Sequence, residues 1–172
     1  MMNLHTRYRR AISLILSAVL IFGLFTSCNK EPIDVLYVFS VITENTAPDD
    51  VQDPEIHEAY VSLLGELNTE LADLLDLSIS TISGTGVSFK KVEGVELNPK
   101  DLRAEDEKRK AVYDSYLFRL KQIEAFYKDR IDNLEKRSGT SFRIDVHYIL
   151  ARGRENSDSV LLQEYQFELK YN

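Results

Sequence analysis

The chain has a single cysteine in 172 residues, no tryptophan, and three histidines, at positions 5, 57 and 147. One cysteine excludes an internal disulfide and any multi-cysteine zinc or iron–sulfur cage. Histidines so far apart leave little for metal catalysis, and neither a metal nor another cofactor is expected. Positive charge is also short: 21 Lys and Arg stand against 28 Asp and Glu, a net charge of −7. A nucleic-acid binder needs a basic footprint to neutralise phosphates, so nucleic acid is not an expected partner. What is present is ordinary globular usage, 44% hydrophobic and 28% charged residues, which excludes an intrinsically disordered or collagen-like chain. The length holds one domain and hardly two. No internal repeat, low-complexity tract or second-domain linker interrupts it.

The first ten residues contain Arg7, Arg9 and Arg10 and no acid, and Ala11 to Phe25 (AISLILSAVLIFGLF) is uncharged. As a helix this run covers roughly 22 Å, short of the ~30 Å hydrocarbon core, so it reads as a signal-peptide core rather than a permanent transmembrane anchor. A cut before Cys28 puts bulky Phe25 at −3, which fits ordinary signal peptidase poorly. Phe25-Thr26-Ser27-Cys28 instead resembles a bacterial lipobox, two small residues before a cysteine at the cut, with Phe25 where leucine is commonest. The resemblance covers residues 1–28. It implies a thioether-linked diacylglyceryl group on Cys28 and an acylated new amino terminus. Several acyl chains at ~0.8 kcal/mol per buried methylene make membrane residence effectively permanent, where one chain does not. Asn29 is not the aspartate of an inner-membrane retention signal, so the same resemblance favours the outer membrane. Asn29-Lys30-Glu31 is similar to short export signals of some surface-exposed lipoproteins. Asp158-Ser159-Val160 resembles an O-glycosylation acceptor of certain Gram-negative envelopes, with Ser159 as the modified residue.

Residues 1–27 are then expected to be a signal peptide, 28–32 a lipidated cysteine and a tether of at most ~17 Å, and 33–172 a single α+β domain. Cleavage removes three arginines and no acid, which leaves 18 bases, 28 acids and a net charge of −10 on 145 residues. Asp34 to Thr43 (DVLYVFSVIT) is apolar on both alternating faces and reads as a central strand covered, at least in part, on both sides. Asp53 caps a helix opened by Pro54, and Tyr60, Leu64, Leu67, Leu71 and Leu74 carry it at helical spacing to about Leu77. Ile79 to Leu97, broken by Gly84, Gly86 and Gly94, suggests a kinked or bulged strand or a hairpin. A long helical stretch from Asn98-Pro99 stops at Ser138-Gly139. Phe142 to Leu150 and Tyr165 to Tyr171 alternate cleanly and form an antiparallel hairpin around Ala151 to Ser159. The order is β-α-β-α-β-β, a two-layer α+β sandwich with a mostly antiparallel sheet packed on two helices; a cystatin-like sheet wrapped on one long helix is the alternative.

The long helix poses a size problem. Unbroken it spans ~58 Å, against about 38 Å for a 145-residue globule, while apolar spacing from Val112 to Leu134 covers only ~34 Å. Lys100 to Lys110 (KDLRAEDEKRK) is therefore expected to overhang, bend away or belong to a loop, either as a contact arm with Lys108, Arg109 and Lys110 or as a solvated extension. The first helix carries Glu55, Glu58, Glu66, Glu70, Asp73 and Asp76 and no base. Pairing with the second helix, which has eleven bases and nine acids between Pro99 and Arg137, is the simple compensation. Calcium or a basic partner reaching Glu66, Glu70 and Asp73 is the sharper one, although no stretch has the acid–Gly–Glu spacing of a calcium loop. Tyr113, Phe118 and Phe126 leave the main apolar stripe and mark either an exposed patch or a wider core face.

Catalytic constellations are thin. Asp145, His147 and Glu164 or Glu168 fall on the wet parity of the last hairpin, without a nucleophile or concavity to complete them. Ser88 to Lys91 matches an S-x-x-K spacing but sits in a strand, and Gly84-Thr85-Gly86 is too short for a phosphate cradle. No catalytic, cofactor-binding or metal-ligating residue is assigned. The expected function is a non-enzymatic lipoprotein of a Gram-negative cell envelope, anchored in the membrane, periplasmic or surface-facing, that binds or organises a protein partner at or near the outer membrane. A small-ligand or glycan-binding lipoprotein, or less readily a hydrolase, is the alternative. Replacing Cys28 by Ala is expected to abolish incorporation of labelled fatty acid into the chain in bacterial cells; persistent labelling contradicts the anchor.

Overall fold

The sheet is built around one long strand that hydrogen-bonds on both sides. In the computed structural model, which describes residues 31–46, 53–76, 80–83, 86–154 and 158–170, β1 (Ile33–Thr46) is followed by α1 (Pro54–Leu74), β2 (Ser80–Ser83) and β3 (Gly86–Leu97). A 3₁₀ turn at Pro99–Asp101 leads into α2 (Leu102–Ser138), and β4 (Arg143–Gly153) and β5 (Val160–Leu169) complete the order. The five strands line up as β2-β3-β1-β4-β5, and every neighbouring pair is antiparallel. All of these elements belong to the unit Ile33–Asn172. The fold is α+β, and the stretch left open as a kinked strand or hairpin is the hairpin β2–β3.

Local chemistry sets the element ends. The Asp53 carboxylate accepts the Glu55 N–H at 2.9 Å and Pro54 occupies the first turn of α1, so one of the orphan amides is satisfied. This helix ends at Leu74, before the expected Leu77, which lies outside the described residues. Asp76 turns the chain there with φ of 53°, a left-handed conformation that Asp adopts more readily than most residues. Gly139 closes α2 with φ of 66° and donates its N–H to the Glu135 carbonyl at 2.8 Å; a Cβ at that φ would be strained.

Both helices lie on one face of the sheet. On that face Val35, Tyr37, Phe39 and Val41 of β1 are fully buried with Ile144, Val146, Tyr148 and Leu150 of β4 and Leu169 of β5. They meet Tyr60, Leu63, Leu67, Leu71 and Leu74 of α1 and Leu120, Ile123, Tyr127, Ile131 and Leu134 of α2. The second face of β1 is covered in part, as expected: Ser40 is buried, Val38 and Ile42 are half-buried, and Leu36 is 39% exposed. Of the two readings of Tyr113 the wider core face holds: it is fully buried, stacked on Tyr148 with ring centroids 4.1 Å apart and planes 4° from parallel. Phe118 and Phe126 are exposed, at 67% and 54%.

The expected overhang is corrected. α2 is continuous over 37 residues, about 55 Å, and its first turns rest on the sheet: the Tyr37 hydroxyl donates to Asp106 at 2.8 Å. The domain is longer than a sphere of the same residue number, since β1 alone runs 14 residues, about 46 Å of extended chain.

The core is rich in tyrosine, which gives it a characteristic alkaline limit. Burial is the first cause that raises the phenols of Tyr60 and Tyr165, each to about 12; the Glu124 carboxylate accepting the Tyr165 hydroxyl is the second cause for that residue. Tyr37, Tyr113, Tyr127 and Tyr148 are raised as well, again by burial first. A phenol whose folded pKa lies above its unfolded value of about 10 favours the folded state fully below pH 10 and loses that contribution as pH rises beyond it. Tyrosinate absorbance is therefore expected to lag at pH 10 and then rise together with loss of far-UV circular dichroism. A smooth titration near pH 10 with the fold intact would contradict this core.

Candidate functional site

Three groups of polar side chains stand out, and the sheet register explains the first. Tyr37 pairs across the sheet with Glu93 of β3 and Arg152 of β4, so a charged row crosses the helix-covered face at that level. The first turns of α2 answer it with opposite charges. Asp106 accepts from Tyr37 and Arg152, and Arg109 reaches Glu93 and also Glu105 of its own helix at 2.7 Å. Lys91 sits 3.5 Å from Glu93 and from the Tyr116 hydroxyl, and the Arg109 guanidinium lies 5.2 Å from the centre of the Tyr37 ring. Three acids face three bases at low exposure, so burial is compensated pair by pair. The cluster binds helix to sheet. Burial and then Asp106 keep the Tyr37 phenol protonated as a donor, and among the described residues no member is left as a free base or nucleophile.

Truncating Asp106→Ala is expected to cost about 2–3 kcal/mol, because it strands the Tyr37 hydroxyl and the Arg152 guanidinium beneath the helix. The double replacement Asp106→Leu with Arg152→Met should recover much of that loss. Urea midpoints at unchanged slope measure both; an unaltered midpoint in the single variant would contradict the latch.

The second group lies along the seam of α1 and α2. Glu66 pairs with Arg130, whose hydrogen bond is the main cause that lowers the Glu66 carboxyl below its usual range. Glu70 accepts from the Tyr127 hydroxyl at 2.9 Å, and Arg130 lies 5.6 and 5.5 Å from the centres of the Phe126 and Tyr127 rings. The second helix thus supplies the compensation that the acidic first helix needs. Beside it a groove of about 270 Å³ is lined by Glu70, Asp73, Arg119, Gln122, Ile123 and Phe126. Among the described residues Asp73 and Arg119 make no ion pair.

The candidate contact residues are not brought into one site. Lys108 pairs with Glu105 at 3.6 Å and Lys110 with Glu107 at 3.0 Å, and Arg109 belongs to the latch. These three stand about 26–29 Å along α2 from Tyr127, where the acids Glu66 and Glu70 are held. Arg119 and Gln122 were not singled out by spacing; their place at the seam follows only from the facing of α1 against α2. Glu93 and Arg152 carried a signal, since both fall on the same alternating parity as the buried Phe89 and Leu150.

The third group is the uncovered face of the sheet. At the far end from Ile33, Arg143 bonds Asp145 at 2.9 Å and Glu168 at 2.8 Å. His147 meets Glu164 at 3.2 Å. The expected Asp–His–Glu grouping is therefore split into an arginine clamp and an imidazole–carboxylate pair on an open surface. Nearer Ile33 the same face is apolar: Val92, Val38, Ala151 and Leu161 line up across β3, β1, β4 and β5. Ser159 is exposed beside β5, and Cys28 lies outside the described residues. No group of three or more His, Cys, Asp or Glu side chains able to hold a metal ion occurs among the described residues. Compared with protein-family models, with curated proteins and with solved structures, the chain finds no match in any of the three.

Proposed function

We propose that this chain is a non-enzymatic lipoprotein of the cell envelope, anchored through Cys28 at or near the outer membrane, and that it binds a protein partner at the α1–α2 groove. The observation that carries the partner reading is the groove itself. It places a 54% exposed Phe126 beside Arg119 and Asp73, charged groups with no ion pair among the described residues. Aromatic and arginine side chains dominate the energetics of protein interfaces, and oppositely charged groups held ready at the rim select the partner and speed encounter. The other candidate contacts support this choice by elimination, since Glu66, Lys108, Arg109 and Lys110 are already engaged within the fold. A binding role also agrees with the polar clusters described above, in which carboxylates and bases are paired with each other rather than aimed into a cleft.

A photo-crosslinking residue at Phe126 in the full chain, expressed in bacterial cells, is expected to give one discrete heavier adduct. Arg119→Glu should reduce it about tenfold, equivalent to roughly 1.4 kcal/mol of binding, while the circular dichroism of the variant is unchanged. A probe at Lys108 should give none. Equal capture from both positions, or no adduct at Phe126, would contradict the groove as the contact.

A further inference from the structure

We infer that the apolar end of the uncovered sheet face is a lipid-contact surface, which lies against the bilayer that the Cys28 anchor holds; this rests on the lipoprotein reading above. The exposed side chains there form a coherent patch. In register across the sheet, Leu36 stands between Gly94 and Gly153, and the next row is Val92, Val38, Ala151 and Leu161. Leu36, Val92 and Leu161 are 39%, 56% and 53% exposed. The flanking glycines are not demanded by the fold: neither has a positive φ. A Cβ on Gly94 would meet only Leu36 Cδ2, at an ordinary 3.6 Å, and one on Gly153 would meet nothing within 4 Å. Glycine weakens a strand, and within one it often marks the close approach of something else. Here Leu36 leans over Gly94, beside a shallow hollow lined by Asp34, Leu36, Gly94 and Glu96.

Connectivity decides what covers this patch. Five residues, Cys28 to Pro32, separate the anchor from the start of β1 and reach at most ~17 Å. Leu36 follows three residues into the strand, about 10 Å further on. The polarity of the face changes in the same direction. The tether-proximal rows are apolar behind the exposed pair Asp34 and Glu96, whereas the distal rows carry Glu44, Asp145, His147, Glu164, Glu168 and Arg143. The apolar end is thus the end that the anchor brings to the membrane. A short tether supplies a high effective concentration, so a patch too small to bind lipid unaided suffices once the chain is fastened.

A second copy of the chain fits the same patch worse. A stable pair buries about 800 Å² on each side, far more than these few side chains offer, and two domains of net charge −10 repel. The acids Asp34 and Glu96 at the margin likewise make a zwitterionic surface the suitable one, since anionic headgroups would oppose them.

The test uses the full chain, processed in bacterial cells, with Leu161→Cys or Val92→Cys carrying a solvatochromic thiol label. Lipidation blocks Cys28, so the new thiol is the only free one. In phosphatidylcholine vesicles both labels are expected to shift to the blue and to be quenched several-fold by spin-labelled lipid. A label at Lys108→Cys on the helical layer should not be. Quenching no greater than at position 108 overturns the lipid contact while the anchor, checked by intact mass, stands. Shielding from water without quenching by lipid overturns it in favour of a protein cover. A product of unlipidated mass overturns the anchor itself and the contact with it.

Discussion

A central strand that is apolar on both faces, in a sheet whose two described helices pack on one, leaves part of a hydrophobic surface open among the described residues. β1 sets this constraint. Its odd-numbered residues from Val35 to Val41 are fully buried under α1 and α2, while Leu36, Val38 and Ile42 on the other side stay partly in solvent. Antiparallel sheets tolerate one wet face when that face is polar, and here only the end distant from Ile33 meets the condition. The two ends of one surface therefore differ in chemistry, and the end nearer the expected anchor is the apolar one.

The helical layer is held in place by means that hydrophobic burial alone would not provide. Along most of α2 the contact is apolar, with Leu120, Ile123, Tyr127 and Ile131 over the core strands. Over its first turns the contact is ionic, because the sheet row beneath contains Glu93 and Arg152 on either side of Tyr37. Pairing this row with Asp106 and Arg109 ties the start of the helix to the sheet at this level. The groove at the seam with α1 lies further along the same helix. It leaves Arg119, Asp73 and Phe126 at the surface while Glu66 and Glu70 are drawn into interhelical contacts.

Much of this fold was legible in the sequence. Strict alternation in β4 gave its buried face from Phe142 to Leu150, and the Asp53–Pro54 pair and Gly139 marked helix ends that the structure reproduces. The buried stripe of α1 was less clear: Leu64 reads as part of it, but packing buries its neighbour Leu63 more deeply. Spacing leaves Tyr113 open between patch and core for a related reason: its position on α2 diverges from the main stripe, and stacking on Tyr148 draws it inward. The run from Lys100 to Lys110 read as a solvated or protruding segment because charge on a helix is usually turned to water. The countervailing signal lay elsewhere, in charged residues at core parity on β3 and β4, and it acquires meaning only when strand register is known. The bulge of β5 opposite Leu150 and Ala151, which changes the alternation before Gln163, had no local signature at all.

The central claim is that the uncovered sheet face, rather than the helical layer, meets the membrane in the anchored protein. Hydroxyl-radical footprinting of the lipidated chain on zwitterionic vesicles, compared with the same chain in solution after enzymatic release from its lipid, reads every side chain at once. The account predicts that Leu36, Val92 and Leu161 lose reactivity on the vesicle while Phe118 and Phe126 keep theirs. Unchanged reactivity of the sheet residues, or protection of the helical aromatics in their place, would contradict it.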